Sequence, residues 1–234
     1  MGSISETIYE GAIGDKPFQV HVLNQDHLPQ IVSVQEDVRN ALQDKNSLQP
    51  LSNEELLYIL NGNGIMIGAF INEELIAFRA LLIPIIDEEH LGYDIGLEEE
   101  SDLNRVLYQE ISNVHPNYRG FGLQKTLAKV IMQQVDPGAF DVVCATVMPY
   151  NIASLKDKFS QGMHVAALKY KYNGKLRYIF AKPLHTEIEY EDAVIRKSMS
   201  DVEGQQELLK NSYFGVSMRQ VDHDWVVEYK KVSK

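Results

Sequence analysis

Residues 111–126 read ISNVHPNYRGFGLQKT, and this run decides how the whole chain is understood. Its first part continues the apolar, partly β-branched stretch 106–114, which predicts a strand. Pro116 ends that strand, because proline has no N–H to give to a ladder. Further on, Leu123, Leu127, Val130, Ile131 and Val135 recur at helical spacing, and Asp136-Pro137-Gly138 closes the helix. The join between strand and helix is Arg119-Gly120-Phe121-Gly122. Glycines in such a turn adopt conformations closed to other residues and let a ligand come close to the main chain. The first amides of a helix have no partner inside it, and the helix dipole adds partial positive charge there. Together these features predict an anion site suited to phosphate, to which Arg119, Lys125 and Thr126 add side-chain donors. Two better-known phosphate loops do not fit. A Walker loop ending in Lys125-Thr126 needs glycine at 119 and 124, where the chain has Arg119 and Gln124. A dinucleotide fingerprint opening at Gly120 needs glycine at 125, where the chain has Lys125.

Upstream, 18–23 (FQVHVL) alternates as a strand. Asp26 is placed to cap a helix running to about Gln43, with Leu28, Ile31, Val34 and Val38 on one face. Ser52 and Glu55 form a capping-box pattern for a second helix. The runs 65–71 and 75–83 predict a hairpin across 72–74. Residues 87–102 are acidic and read as an exposed excursion. Downstream, 141–147 (DVVCATV) reads as a buried strand and 151–161 as a helix, with Gly162 at its end. Two strands, 165–171 and 176–182, flank Asn173-Gly174, a strong hairpin signal. These elements predict a mixed α/β (α+β) domain over 1–184. Residues 185–234 then read as an acidic linker, a helix over 200–210 and a β-hairpin of 216–221 and 225–232. One helix and one hairpin bury too little area alone. Leu208, Leu209, Phe214, Val227 and Tyr229 therefore call for docking on the main domain or on a second subunit, a homodimer being one way to cover them.

Composition narrows the function classes. The chain has 234 residues, 44% of them hydrophobic, and a single cysteine, Cys144, so no intrachain disulfide can form. That points to a reducing, cytoplasmic setting. Cys144 sits in an apolar run and reads as core rather than nucleophile. The N-terminal decapeptide lacks the basic and apolar regions of a secretory signal. No run reaches the roughly 18 apolar residues of a membrane span. The net charge of −11 disfavours nucleic acid and anionic lipid as partners and mildly favours cationic ones. The seven histidines show no metal-ligand spacing, and no Gly-x-Ser-x-Gly elbow is present.

Val114-x-Pro116-x-Tyr118-Arg119-Gly120-x-Gly122 resembles the acetyl-CoA motif of the GNAT N-acetyltransferase superfamily. It matches at Arg119 and Gly122 and departs at Gln124, where the family has glycine or alanine. The element order over 18–182 is also similar to the GNAT core. The resemblance implies a mostly antiparallel central sheet flanked by helices, here followed by the C-terminal helix and hairpin. It also implies acetyl-CoA as cosubstrate, no metal, and a small-molecule or peptide amine as acceptor. By it, backbone amides of Phe121, Gly122, Leu123, Gln124, Lys125 and Thr126 hold the pyrophosphate. The Val114 amide meets the acetyl carbonyl, the Asn113–Val114 backbone pairs with the pantetheine arm, and Asn151 stands where the family often contacts CoA.

Direct transfer to an amine needs a base for the amine and an acid for the thiolate. Glu110 is the candidate base: period-two alternation puts it on one strand face with Tyr108 and Ser112. The acid stays open. Where related enzymes often have a tyrosine seven residues after the asparagine, this chain has Lys158. Tyr150 and Tyr108 are alternative donors, Tyr150 and Lys158 reading otherwise as surface residues near a helix start, and water is a further choice. A catalytically weak or inactive acyl-CoA-binding sensor or scaffold of the same fold is the competing function.

Overall fold

A computed structural model describes residues 6–42 and 50–233. Residues 1–5 of the N-terminal decapeptide and Gln43, where the sequence ends the first helix, lie outside the described residues. The elements run β1 (Thr7–Ile13), β2 (Lys16–Val22), α1 (Leu28–Asn40), α2 (Asn53–Leu60), β3 (Gly64–Ile71), β4 (Glu74–Leu82), α3 (Leu91–Asp94), α4 (Glu100–Leu103) and β5 (Val106–Val114). They continue with α5 (Leu123–Met132), β6 (Val142–Val147), α6 (Ile152–Ser160), β7 (His164–Lys171), β8 (Lys175–Pro183), β9 (Tyr190–Ser198), α7 (Val202–Lys210), β10 (Tyr213–Val221) and β11 (Asp224–Val232). This is a mixed α/β fold with mostly antiparallel sheet flanked by helices. Its contacts divide it into two units, residues 1–83 with 108–136, and residues 84–107 with 137–234.

In the first unit the strand order is β1-β2-β3-β4-β5, each neighbour antiparallel. Its core joins Ile31, Val34 and Val38 of α1 and Leu56 and Ile59 of α2 to Met66, Phe78, Ala80 and Ile111 on the strands. The helix starts follow local chemistry. The Ser52 side chain accepts from the Glu55 amide while Glu55 accepts from the Ser52 amide, closing the capping box. Asp26 does not cap α1: Asn24 caps a short 3-10 turn at Gln25–His27, and α1 follows at Leu28 with His27 as its N-cap residue and no side-chain cap. Strand β1 is absent from the sequence reading. It forms because Gly14, at φ +61, makes a two-residue turn that sets Ile13 against Lys16.

In the second unit the order is β6-β8-β7-β10-β11-β9, again antiparallel. The region read as an acidic excursion is folded. Asp94, its side chain only 7% exposed, lies 2.9 Å from Lys169 Nζ and 2.8 Å from Lys171 Nζ on β7. His90, Leu91 and Leu103 are buried beside it. Strand β9 begins within 187–192, the stretch read as a linker, so the C-terminal piece is a helix and three antiparallel strands in the order β10-β11-β9. It packs on the unit's other strands: Gly215 of β10 pairs with Val165 of β7, and Gln206 donates to the Leu168 carbonyl. Gln205, fully buried, accepts from the hydroxyls of Tyr178 on β8 and Tyr229 on β11 at 2.7 and 2.9 Å.

Candidate active site

The site is built around the end of β5. His115 donates its amide to the carbonyl of Ile76, the residue opposite it on β4. Bonded and non-bonded pairs alternate along an antiparallel ladder. The neighbouring residue Val114, opposite Ala77, therefore turns its N–H and C=O away from β4. Arg119 Nε donates to that Val114 carbonyl at 3.3 Å, tying the turn back to the strand. His115 Nδ1 accepts from the Asn117 amide, so the short 3-10 turn at Pro116–Tyr118 starts with a side-chain cap.

The turn then reaches Gly120 and Gly122, at φ +84 and +78. Residues with a Cβ rarely adopt this left-handed region. A Cβ at either glycine would meet no atom within 4 Å, so it is the backbone conformation, not crowding within the protein, that calls for glycine here. Gly122 is the N-cap of α5, and no side chain caps that helix. The first intrahelical bond runs from the Thr126 amide to the Gly122 carbonyl at 3.0 Å. Thr126 thus contributes no main-chain donor to an anion, contrary to the sequence reading. The amides of Leu123, Gln124 and Lys125 precede that bond and form the open first turn. Phe121, Arg119 and Lys125 are exposed around it. These residues fit a pyrophosphate: ligand-facing space above two glycines, a helix start without a cap, and two cationic side chains at the rim.

Sequence reasoning missed what lies beneath the turn. Arg79 of β4, only 1% exposed, donates through Nη2 to Gln109 Oε1 at 2.7 Å and through Nη1 to the Gln124 carbonyl at 3.4 Å. It ties the first turn of α5 to the sheet. The signal was a lone arginine inside the apolar run 75–83.

The strand itself holds a correction. The register pairs Ala80 with Ile111 but Leu81 with Gln109, so Glu110 is the extra residue of a β-bulge. Period-two alternation fails across it. Tyr108 stands opposite Leu82 and Ser112 opposite Arg79, positions on opposite faces of β4, so Tyr108 and Ser112 do not share a face. Glu110 is exposed, Tyr108 and Ser112 are half-buried, and Asn113 is buried opposite Phe78. Both polar atoms of the Asn113 side chain are buried without a hydrogen bond among the described residues.

Tyr150 and Asn151 belong to the second unit, between β6 and α6. Tyr150 has φ +65, unusual for a residue with a side chain, and the residue is 51% exposed. Asn151 Oδ1 accepts from the Ser154 amide and caps α6. Lys158 is not the surface residue its sequence context suggests: it is buried, with Nζ 3.3 Å from Asp157 Oδ2. Cys144 is fully buried in β6, and burial pushes its thiol up to about 12, so it stays protonated. Among the described residues, no group of three or more His, Cys, Asp or Glu is arranged to hold a metal, and no helix is long and apolar enough to cross a membrane.

No family model matches the sequence, and no curated protein matches it. Solved structures do match the fold. The ribosomal-protein-S18-alanine N-acetyltransferase of Escherichia coli is 16% identical, with a TM-score of 0.53 over 74% of this chain and 97% of its own. An acetyltransferase of the GNAT family from Streptococcus pneumoniae is also 16% identical, with a TM-score of 0.52 over 71% and 99%. This chain has the GNAT fold. The Salmonella typhimurium protein yncA, determined with its cofactor acetyl-CoA, is 12% identical, with a TM-score of 0.54 over 75% and 99%. The GNAT fold thus accounts for about three quarters of this chain, and nearly the whole of each neighbour lies within it.

Proposed function

We propose that the protein is an N-acyltransferase that moves an acetyl group from acetyl-CoA to a primary amine. The observation that carries this reading is the uncapped start of α5 at left-handed Gly122, beside a Val114 amide turned away from β4. The amides of Phe121 to Lys125 hold the pyrophosphate, with Arg119 and Lys125 adding charge at its rim. The Asn113–Val114 backbone takes the pantetheine arm, and the Val114 amide donates to the acyl carbonyl, where negative charge grows during attack. When bound, the thioester supplies an activated acyl group.

Glu110 accepts the proton of the attacking amine, directly or through a water. Its position at a bulge supports this role, since bulges re-aim side chains beside active sites. Tyr150 is the preferred acid for the leaving thiolate, because a strained backbone at an exposed tyrosine is the kind of feature that collects at functional sites; Tyr108 is the other candidate. Asn151, which caps α6, is carried over as a further CoA contact from the resemblance alone. Residues 1–184 form the acyltransferase domain and 185–234 an extension packed on it. The buried single cysteine supports a reducing cytoplasmic setting.

The acceptor is an amine of a small molecule or peptide, and the acidic balance of the chain favours a cationic one. The test is release of free thiol from acetyl-CoA over a panel of polyamines, amino acids and peptides with free N-termini or lysines. Release that depends on one acceptor class supports the assignment. Tight CoA binding with no release for any amine would favour the sensor or scaffold instead.

A further inference from the structure

Strand β9 is the last strand of the second unit's sheet: it pairs with β11 on one side, and no strand among the described residues pairs with its other side. Nine residues make a long open edge, a ready template for another chain unless it is blunted. The pairing of β9 tells which groups face outward. Met199 donates its amide to the carbonyl of Trp225, the residue opposite it in the register that sets Ser198 against Val226. By ladder alternation, Ile195 and Lys197 turn their main-chain groups toward β11, whereas Val194, Arg196 and Ser198 turn theirs toward the open edge. Between Val194 and Tyr190 the strand has two residues more than β11, so residues 191–193 are less committed to that partner.

The charge order along this edge is self-complementary. β9 reads YEDAVIRKS, acidic before its centre and basic after it. Laid antiparallel against a copy of itself about Val194, it sets Asp192 against Arg196, Glu191 against Lys197, and Ala193 against Ile195. Opposite charges directly across a strand pair stabilise it and like charges oppose it. A parallel arrangement, or a centre moved by one residue, loses these matches, so the charges select both direction and register. Arg196 can serve two carboxylates: its Nε donates to Glu228 at 2.9 Å while its side chain remains 50% exposed.

We infer that β9 is a dimerisation edge, at which two copies of this chain pair their β9 strands antiparallel about a twofold axis at Val194. Such an interface is isologous and closes at two copies. One strand pair buries less than the roughly 800 Å² per partner of a standard stable interface. The dimer is therefore concentration-dependent, with a dissociation constant on the order of micromolar.

Sedimentation velocity of the full chain from about 1 to about 200 µM tests it, a range spanning that dissociation constant. The parent is expected to pass from monomer to dimer mass across this range. Val194→Pro removes the outward N–H at the dyad without touching a bond to β11, and is expected to stay monomeric. Asp192→Arg, on an exposed side chain, brings like charges together and is also expected to stay monomeric; it decides the matter if the proline variant melts early. Asp192→Arg combined with Arg196→Asp restores the opposite-charge pair and the dimer. A parent that remains monomeric, a dimer that survives Asp192→Arg or a well-folded Val194→Pro, or a double variant that fails to re-form it would each overturn the proposal.

Discussion

At the scale of single residues, Glu110 carries the sharpest expectation. A general base contributes roughly 10²-fold or more to turnover. Glu110→Gln is expected to lower kcat by that amount at neutral pH while leaving CoA affinity unchanged, as read by steady-state kinetics and calorimetry. A pH–rate profile identical to the parent's would remove Glu110 from the mechanism. Asn113 makes a different kind of claim. An amide buried without a hydrogen bond costs about 1–3 kcal/mol, so Asn113→Leu is expected to raise the melting temperature. A variant that melts lower would mean the amide is satisfied in solution, for example by a buried water. Both residues show the limit of reading a strand by its period. Alternation through 108–112 is visible in the sequence, but the bulge that breaks it depends on how β4 and β5 meet, and no local pattern records that. Lys158 is a similar case: a lysine near a helix end reads as solvated, and only the fold shows it buried against Asp157.

Among elements, those with strong local signals were legible. The Asn173-Gly174 hairpin, the Ser52 capping box and the glycine turn before α5 each follow from backbone chemistry within a few residues. Strand β9 was not legible, because an edge strand with one partner needs little apolar alternation and its charges resemble a linker. The junction of β7 with β10 gives a pH test. His164 of β7 is buried and stacks on Phe214 of β10 with ring centroids 4.5 Å apart. Burial pushes its pKa from the usual 6.5 down to about 4. A histidine held neutral in the fold contributes its full share above the unfolded value and loses it as pH falls from about 6.5 toward 4. The erosion is on the order of 3 kcal/mol across that window. Urea melts between pH 7 and 4 should therefore show the parent losing more stability than His164→Leu, with the gap opening below about pH 6.5. Equal losses in both proteins would show that the imidazole is not held neutral.

For the whole molecule, the extension 185–234 can be tested by its removal. Ending the chain after Leu184 removes the partner of Tyr178 and uncovers the edge of β7. A buried hydroxyl without a partner costs about 1–3 kcal/mol, and lost apolar burial adds to it. The truncated chain is expected to melt about 5 °C lower or more, and to bind a hydrophobic dye more strongly. A truncated protein equal to the parent in both would mean that 185–234 adds nothing to the fold. The account as a whole turns on whether the 119–125 turn holds the pyrophosphate of an acyl-CoA. Titration calorimetry of CoA into the parent and into Gly122→Val tests this most directly. A valine cannot hold φ +78 without strain, and its side chain would occupy the space over the turn. Saturable binding to the parent, reduced at least about tenfold in a variant that keeps its circular dichroism spectrum, is the predicted result, a loss of about 1.4 kcal/mol. A parent that does not bind CoA, or a folded Gly122→Val that binds it equally well, would contradict the claim.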